Sequence, residues 1–118
     1  MSVEDYTKID LISTYKQDTV ILTISDHLEW DDKLEHLLIL QNKINSYLDF
    51  IESEQIFTEY PNAKGKKLII QIISKFYPNE KAYKFLQLAK ETLQSAGLDL
   101  NFGFFQEGKM IIQEIECL

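Results

Sequence analysis

The chain reads as an α+β domain: a two-layer α/β sandwich in the order ββαβαββ, its mixed sheet carrying two helices on one face. Three observations predict it. Alternating, strand-like stretches at residues 19–25 and 98–106 flank two longer stretches whose apolar residues recur at three- and four-residue steps. The most apolar run, LIIQII at 68–73, carries Ile on both faces and lies between those helical stretches, as a central parallel strand does. Short polar links at Lys16-Gln17-Asp18 and Glu107-Gly108-Lys109 make a hairpin at each end.

Ile9 to Tyr15 and Thr19 to Ser25 form the first hairpin; in its second strand Val20, Leu22 and Ile24 point to one face. Asp32 and Glu35 then make a D-x-x-E pattern in which the first carboxylate accepts from opening-turn amides and the second reaches back, so a helix begins near Asp32. Leu34, Leu37, Leu38, Ile44, Tyr47, Leu48 and Ile51 give it an apolar stripe, with Lys33, Asn42, Lys43, Asp49 and Glu52 outside. On this phase Leu38 faces the sheet. A further turn over Gln55–Tyr60 ends at Pro61, Asn62 and Gly65.

Lys67 to Phe76 is the central strand, and Pro78 and Asn79 open a second helix on which Ala82, Phe85, Leu86, Ala89 and Leu93 share a face. Gly97 suits a left-handed helix end. Leu98 to Gln106 and Met110 to Ile115 complete the sheet, the former with Leu100, Phe102 and Phe104 on one side. Both crossovers are right-handed and place the helices on one layer, over three parallel strands with antiparallel edges. The other layer is left with Ile21, Ile69, Ile73 and Phe105, a patch of the kind that joins copies or partners. A homodimer would cover it; alternatively Ile111 and Ile115 fold across it within one chain.

At 118 residues, 45% of them hydrophobic, the chain is expected to be one domain spanning 1–118 that is stable without disulfide or metal. One cysteine, Cys117, can neither staple the fold nor build a thiolate metal site, and it fits a reducing cytoplasm. The acidic N-terminus does not resemble a secretory signal, and no stretch has the length of a membrane span. The net charge of −7 arises from 19 acids against 12 lysines, with no arginine. Without the guanidinium fork, nucleic acid is not an expected partner. The imbalance is uneven: residues 1–60 hold 13 acids and 4 lysines, residues 61–118 hold 6 acids and 8 lysines.

Ligands of open α/β sheets gather at the carboxyl ends of the parallel strands. That edge collects Asp26, His27, Glu29, Trp30 and Asp31 after the second strand, and Lys75, Tyr77 and Asn79 after the third. Asp26, His27, Glu29, Trp30, Lys75 and Tyr77 are therefore the candidate ligand- or partner-binding residues. Imidazole and carboxylates together could hold a divalent cation, with His36 on the same helix face as Asp32. The plainer reading is that first-turn acids complement the helix dipole, Asp26 satisfies a turn, and Trp30 packs over the helix start. Consecutive Ser25, Asp26 and His27 alternate faces in a strand and cannot form a hydrolytic triad unless the backbone turns sharply. No glycine-rich phosphate loop is present. No catalytic residue, metal ligand or cofactor is assigned.

The segment LTISDHLEWDDKLEHLLILQNKINSYLDFIES resembles a family of small bacterial proteins of unknown function with the pattern DHLxW followed by HLLxLQxKINxYLxFI. The likeness covers Ile9 to Phe102. It implies a bacterial, cytoplasmic single-domain protein and transfers no catalytic residue. The expected function is thus a non-enzymatic binding or interaction domain, immunity-like or regulatory, whose partner is a second copy or another protein and neither nucleic acid nor membrane. The alternative is a small-molecule or metal-dependent enzyme at the Asp26–His36 junction, centred on His27 with Asp26 and Glu29 as orienters or acid/base groups and Lys75 and Tyr77 touching substrate. Convergence of these side chains in a concave pocket would favour the enzyme; scatter over a convex surface favours binding.

Overall fold

The structure, a computed structural model, describes residues 3–4, 9–30 and 35–115. Five strands, β1 (Leu11–Tyr15), β2 (Thr19–Asp26), β3 (Lys67–Ser74), β4 (Asp99–Gln106) and β5 (Lys109–Gln113), form one sheet in chain order. β2, β3 and β4 are parallel, and β1 and β5 are antiparallel edges. The crossovers contain α1 (Glu35–Glu52) with the short α2 (Gln55–Glu59) and a 3-10 turn at Pro61–Ala63, then α3 (Glu80–Ser95). The expected α+β architecture and element order are those observed. The opening of the first helix near Asp32, and Cys117, lie outside the described residues.

In-register rows build the core face. Leu22, Ile70 and Leu100 stand side by side, as do Ile24, Ile72 and Phe102. Against them pack Leu40, Ile44, Tyr47 and Phe50 from α1 and Leu86 and Leu93 from α3, in one buried cluster. The helix ends have local causes. Asn79 caps α3 by accepting from the Ala82 amide at 2.8 Å. At its other end Gly97 takes φ +84°, and the Leu98 and Gly97 amides close back on the Leu93 and Gln94 carbonyls, a Schellman ending.

The phase of α1 differs from the expected one. Leu38 is 54% exposed, whereas Lys43, expected outside the stripe, is fully buried. The buried positions are His36, Leu40, Lys43, Ile44, Tyr47 and Phe50; Ile44 and Tyr47 belong to the expected stripe, and the others rotate it away from Leu38. Polar partners set this rotation. Lys43 Nζ meets Asp10 Oδ1 at 2.8 Å, both side chains being at most 1% exposed. Asp10 Oδ2 accepts from the Ser25 amide, and the Asp10 amide donates to the Tyr47 hydroxyl, which donates in turn to the Thr23 carbonyl. Burial, with a smaller contribution from the Asp10 carboxylate, pushes the Tyr47 phenol above its ordinary range; the Asp10 amide bond opposes both. An exposed leucine costs little, but a buried charge without its partner costs several kcal/mol, so the pairs prevail over the leucine count.

Among the described residues no helix lies over the opposite face, where Ile21, Ile69 and Ile73 are half-buried and Phe105 is exposed. The alternative internal cover is overturned among the described residues. Ile115 turns into the core cluster on the helix side, and Ile111 sits opposite Phe104 on that same side.

The observed phase predicts that Leu40→Ala costs about 2–5 kcal/mol in urea unfolding. Leu38→Ala should stay within about 0.5 kcal/mol of the parent. The reverse order would mean that α1 is rotated from the seat described.

Candidate functional site

The carboxyl edge of the parallel strands is closed by side chains that bond one another. Asp26 ends β2 on the core-facing parity of Val20, Leu22 and Ile24, and is 2% exposed. Its Oδ1 accepts from the Leu28 amide at 3.1 Å, a local turn that stops the strand and redirects the chain. Its Oδ2 lies 2.6 Å from His36 Nε2, where the first described turn of α1 passes over the strand end. His36 Nδ1 is 2.9 Å from the Glu29 carbonyl. The indole of Trp30 stacks on the imidazole at 3.9 Å, 15° from parallel, and its Nε1–H donates to the Phe76 carbonyl at 3.2 Å. That carbonyl also accepts from Ser74 Oγ, and Ser74 stands beside Asp26 in the sheet.

Proton accounting fixes what this cluster can do. A carbonyl only accepts, so Nδ1 carries hydrogen toward Glu29, and the second hydrogen bond shares one proton between Nε2 and the Asp26 carboxylate. Both ring nitrogens and both carboxylate oxygens are thus engaged. Asp26 is 2% and His36 4% exposed, so these bonds are made away from water. The stacked indole seals the ring against solvent.

The candidate residues divide accordingly. Asp26 and Trp30 converge, on His36. His27 turns outward, 55% exposed, to Glu4 at 3.3 Å. Glu29 contributes its backbone carbonyl while its side chain is exposed. Lys75 is exposed with Nζ over the Phe76 ring, and Tyr77, 66% exposed, rests edge-on against Phe104 at 5.0 Å. His36 is the member that the candidate set left out; its signal was its placement at the first inward position of an amphipathic helix.

A separate cleft of about 990 Å³ opens between α1, α2 and the start of β1, lined by Asn42, Asn45, Ser46 and Asp49 with Ile9 and Ile12. The sequence signal for it was the polar i, i+3, i+4, i+7 stripe on α1. Among the described residues no three His, Cys, Asp or Glu side chains stand together as metal ligands.

The pair predicts an asymmetric mutational response. His36→Leu strands a buried carboxylate and should cost about 3–5 kcal/mol, read from the fluorescence of Trp30 in urea. His27→Leu should change stability by less than about 0.5 kcal/mol. Similar small costs for both would refute the buried clamp.

No helix among the described residues is long and apolar enough to cross a membrane. Comparison with curated proteins and with solved structures returned no match. A family model does match, over residues 1–106, and the chain accordingly belongs to the family of unknown function DUF6572.

Proposed function

We propose that this chain is a non-enzymatic interaction domain of the bacterial cytoplasm, regulatory or immunity-like in kind, that acts as a homodimer. The observation that carries the reading is the closure of the Asp26–His36 pair. At the edge where an α/β enzyme would present its acid or base, Asp26 and His36 are buried and bonded to each other and to the Leu28 amide and Glu29 carbonyl. His27, Glu29, Lys75 and Tyr77 lie scattered on the surface around it, a distribution suited to contact with a partner and not to work on a small molecule.

The sheet supplies the surface. Among the described residues one of its faces has no helix layer, and its exposed apolar residues include Leu11, Tyr15, Phe105, Met110 and Ile112. Large exposed apolar patches mark interaction surfaces, and a closed two-fold dimer is the commonest way for one chain to cover its own. The single cysteine and the net charge of −7 suit a soluble partner in a reducing compartment. The absence of arginine argues against nucleic acid.

Sedimentation equilibrium of the full chain at tens of micromolar should give a dimer. A monomer at that concentration would contradict the reading.

A further inference from the structure

The exposed edge of the sheet carries a self-complementary pattern. β5 reads Lys109-Met110-Ile111-Ile112-Gln113, and Met110, Ile111 and Ile112 are 49%, 39% and 57% exposed. Edge strands in monomers are ordinarily blunted by proline, bulges or central charges. β5 has none of these within it; its one charge, Lys109, is at the end.

Which backbone groups of β5 are free follows from its hairpin. Glu107 and Gly108 both take positive φ, 52° and 76°, so the turn between β4 and β5 is the tight two-residue kind, closed by the hydrogen-bonded pair Gln106–Lys109. Hydrogen-bonded pairs alternate along an antiparallel ladder. Lys109, Ile111 and Gln113 therefore direct their amides and carbonyls to β4, and Met110 and Ile112 direct theirs outward.

We propose that two copies of this chain join through β5, antiparallel about a two-fold axis at Ile111, making one continuous sheet from two five-stranded ones. The inference rests on the reading of the chain as a self-associating domain and places the contact at the edge strand, so that pairing extends the open face instead of covering it. In this register Met110 of each copy opposes Ile112 of the other, and these are the residues with free backbone groups, so each such pair exchanges two main-chain hydrogen bonds. Ile111 meets its own symmetry mate, and Lys109 faces the neutral Gln113, so no like charges are opposed. The other registers that keep side chains on their own faces set Lys109 against Ile111, or Ile111 against Gln113, and lose the apolar match.

The pairing also extends an apolar row already built on the open face. A Cβ on Gly103 would lie 3.2 Å from Ile112 Cδ1 and 3.3 Å from Ile73 Cδ1, so the glycine lets these side chains close over it. Met110 of the second copy continues that row beyond Ile112.

The test uses cysteine placement in a Cys117→Ser background. Ile111 opposes itself in a non-hydrogen-bonded pair, where Cα atoms are about 4.5 Å apart, within the span of a disulfide. Ile111→Cys should give a covalent dimer under mild oxidation. Ile112→Cys should not, because its own mate lies two residues out of register, about 8 Å away. Ile112→Pro removes an outward amide without touching the β4 ladder and should shift sedimentation to monomer with unchanged circular dichroism. If the parent dimerises but Ile111→Cys cross-links no faster than Ile112→Cys, or Ile112→Pro remains dimeric, the β5 assignment is overturned while the interaction-domain reading stands. A parent that is monomeric overturns both.

Discussion

The seat of α1 on the sheet depends on one constraint: a charge removed from water must meet its partner. The helix carries two inward polar residues, His36 and Lys43, seven positions apart and so on one face two turns along. Each finds a carboxylate fixed by the sheet side, Asp26 at the end of β2 and Asp10 just before β1. Both contacts lie along the carboxyl half of β2, the first at its exit and the second beside Thr23 and Ser25. Between them Leu40 fills the apolar interval. Sliding α1 by one turn, or rotating it to bury Leu38, would separate both pairs and strand four charged or polar groups in the core.

That constraint explains how much of the molecule was legible in its sequence. The order of elements, the parallel centre, the antiparallel edges and the helix punctuation all follow from periodicity and turn chemistry, which are local. Asn79 and Gly97 sit where the capping rules put them, and LIIQII is the middle strand. The phase of α1 was not legible in the same way. Its apolar residues are spread widely enough to support two rotations, and the choice is made by Asp10 and Asp26, which lie 33 and 10 residues from their partners and carry no periodic mark. Counting Lys43 as solvent-facing followed from composition and ignored its partner. For the same reason Asp26, Trp30 and His36 were legible as residues of the junction, while the pairing of His36 with Asp26 and its stacking on Trp30 were not.

The closure of that end changes what the acidic junction means. A histidine, a carboxylate and an indole within hydrogen-bond and stacking distance make an arrangement that catalytic sites also use, but here every buried side-chain nitrogen and oxygen among the described residues has a hydrogen-bond partner. The groups that could titrate or coordinate instead tie the β2 exit, the α1 entry and the segment after β3 to one another. On the sheet face away from the helices, Ile21, Ile69 and Ile73 stay half-buried and Phe105 exposed among the described residues.

A double-mutant cycle between Asp10 and Lys43 tests this account most directly. Lys43→Met leaves a buried carboxylate, Asp10→Asn leaves a buried ammonium, and the double variant removes the charge problem while keeping an acceptor for the Ser25 amide. The account predicts strongly non-additive unfolding free energies, with a coupling in the upper part of the roughly 0.5–3 kcal/mol found for contacting residues. Single costs that simply add, within about 0.5 kcal/mol, would contradict it, because they would mean that α1 is held by its apolar stripe alone.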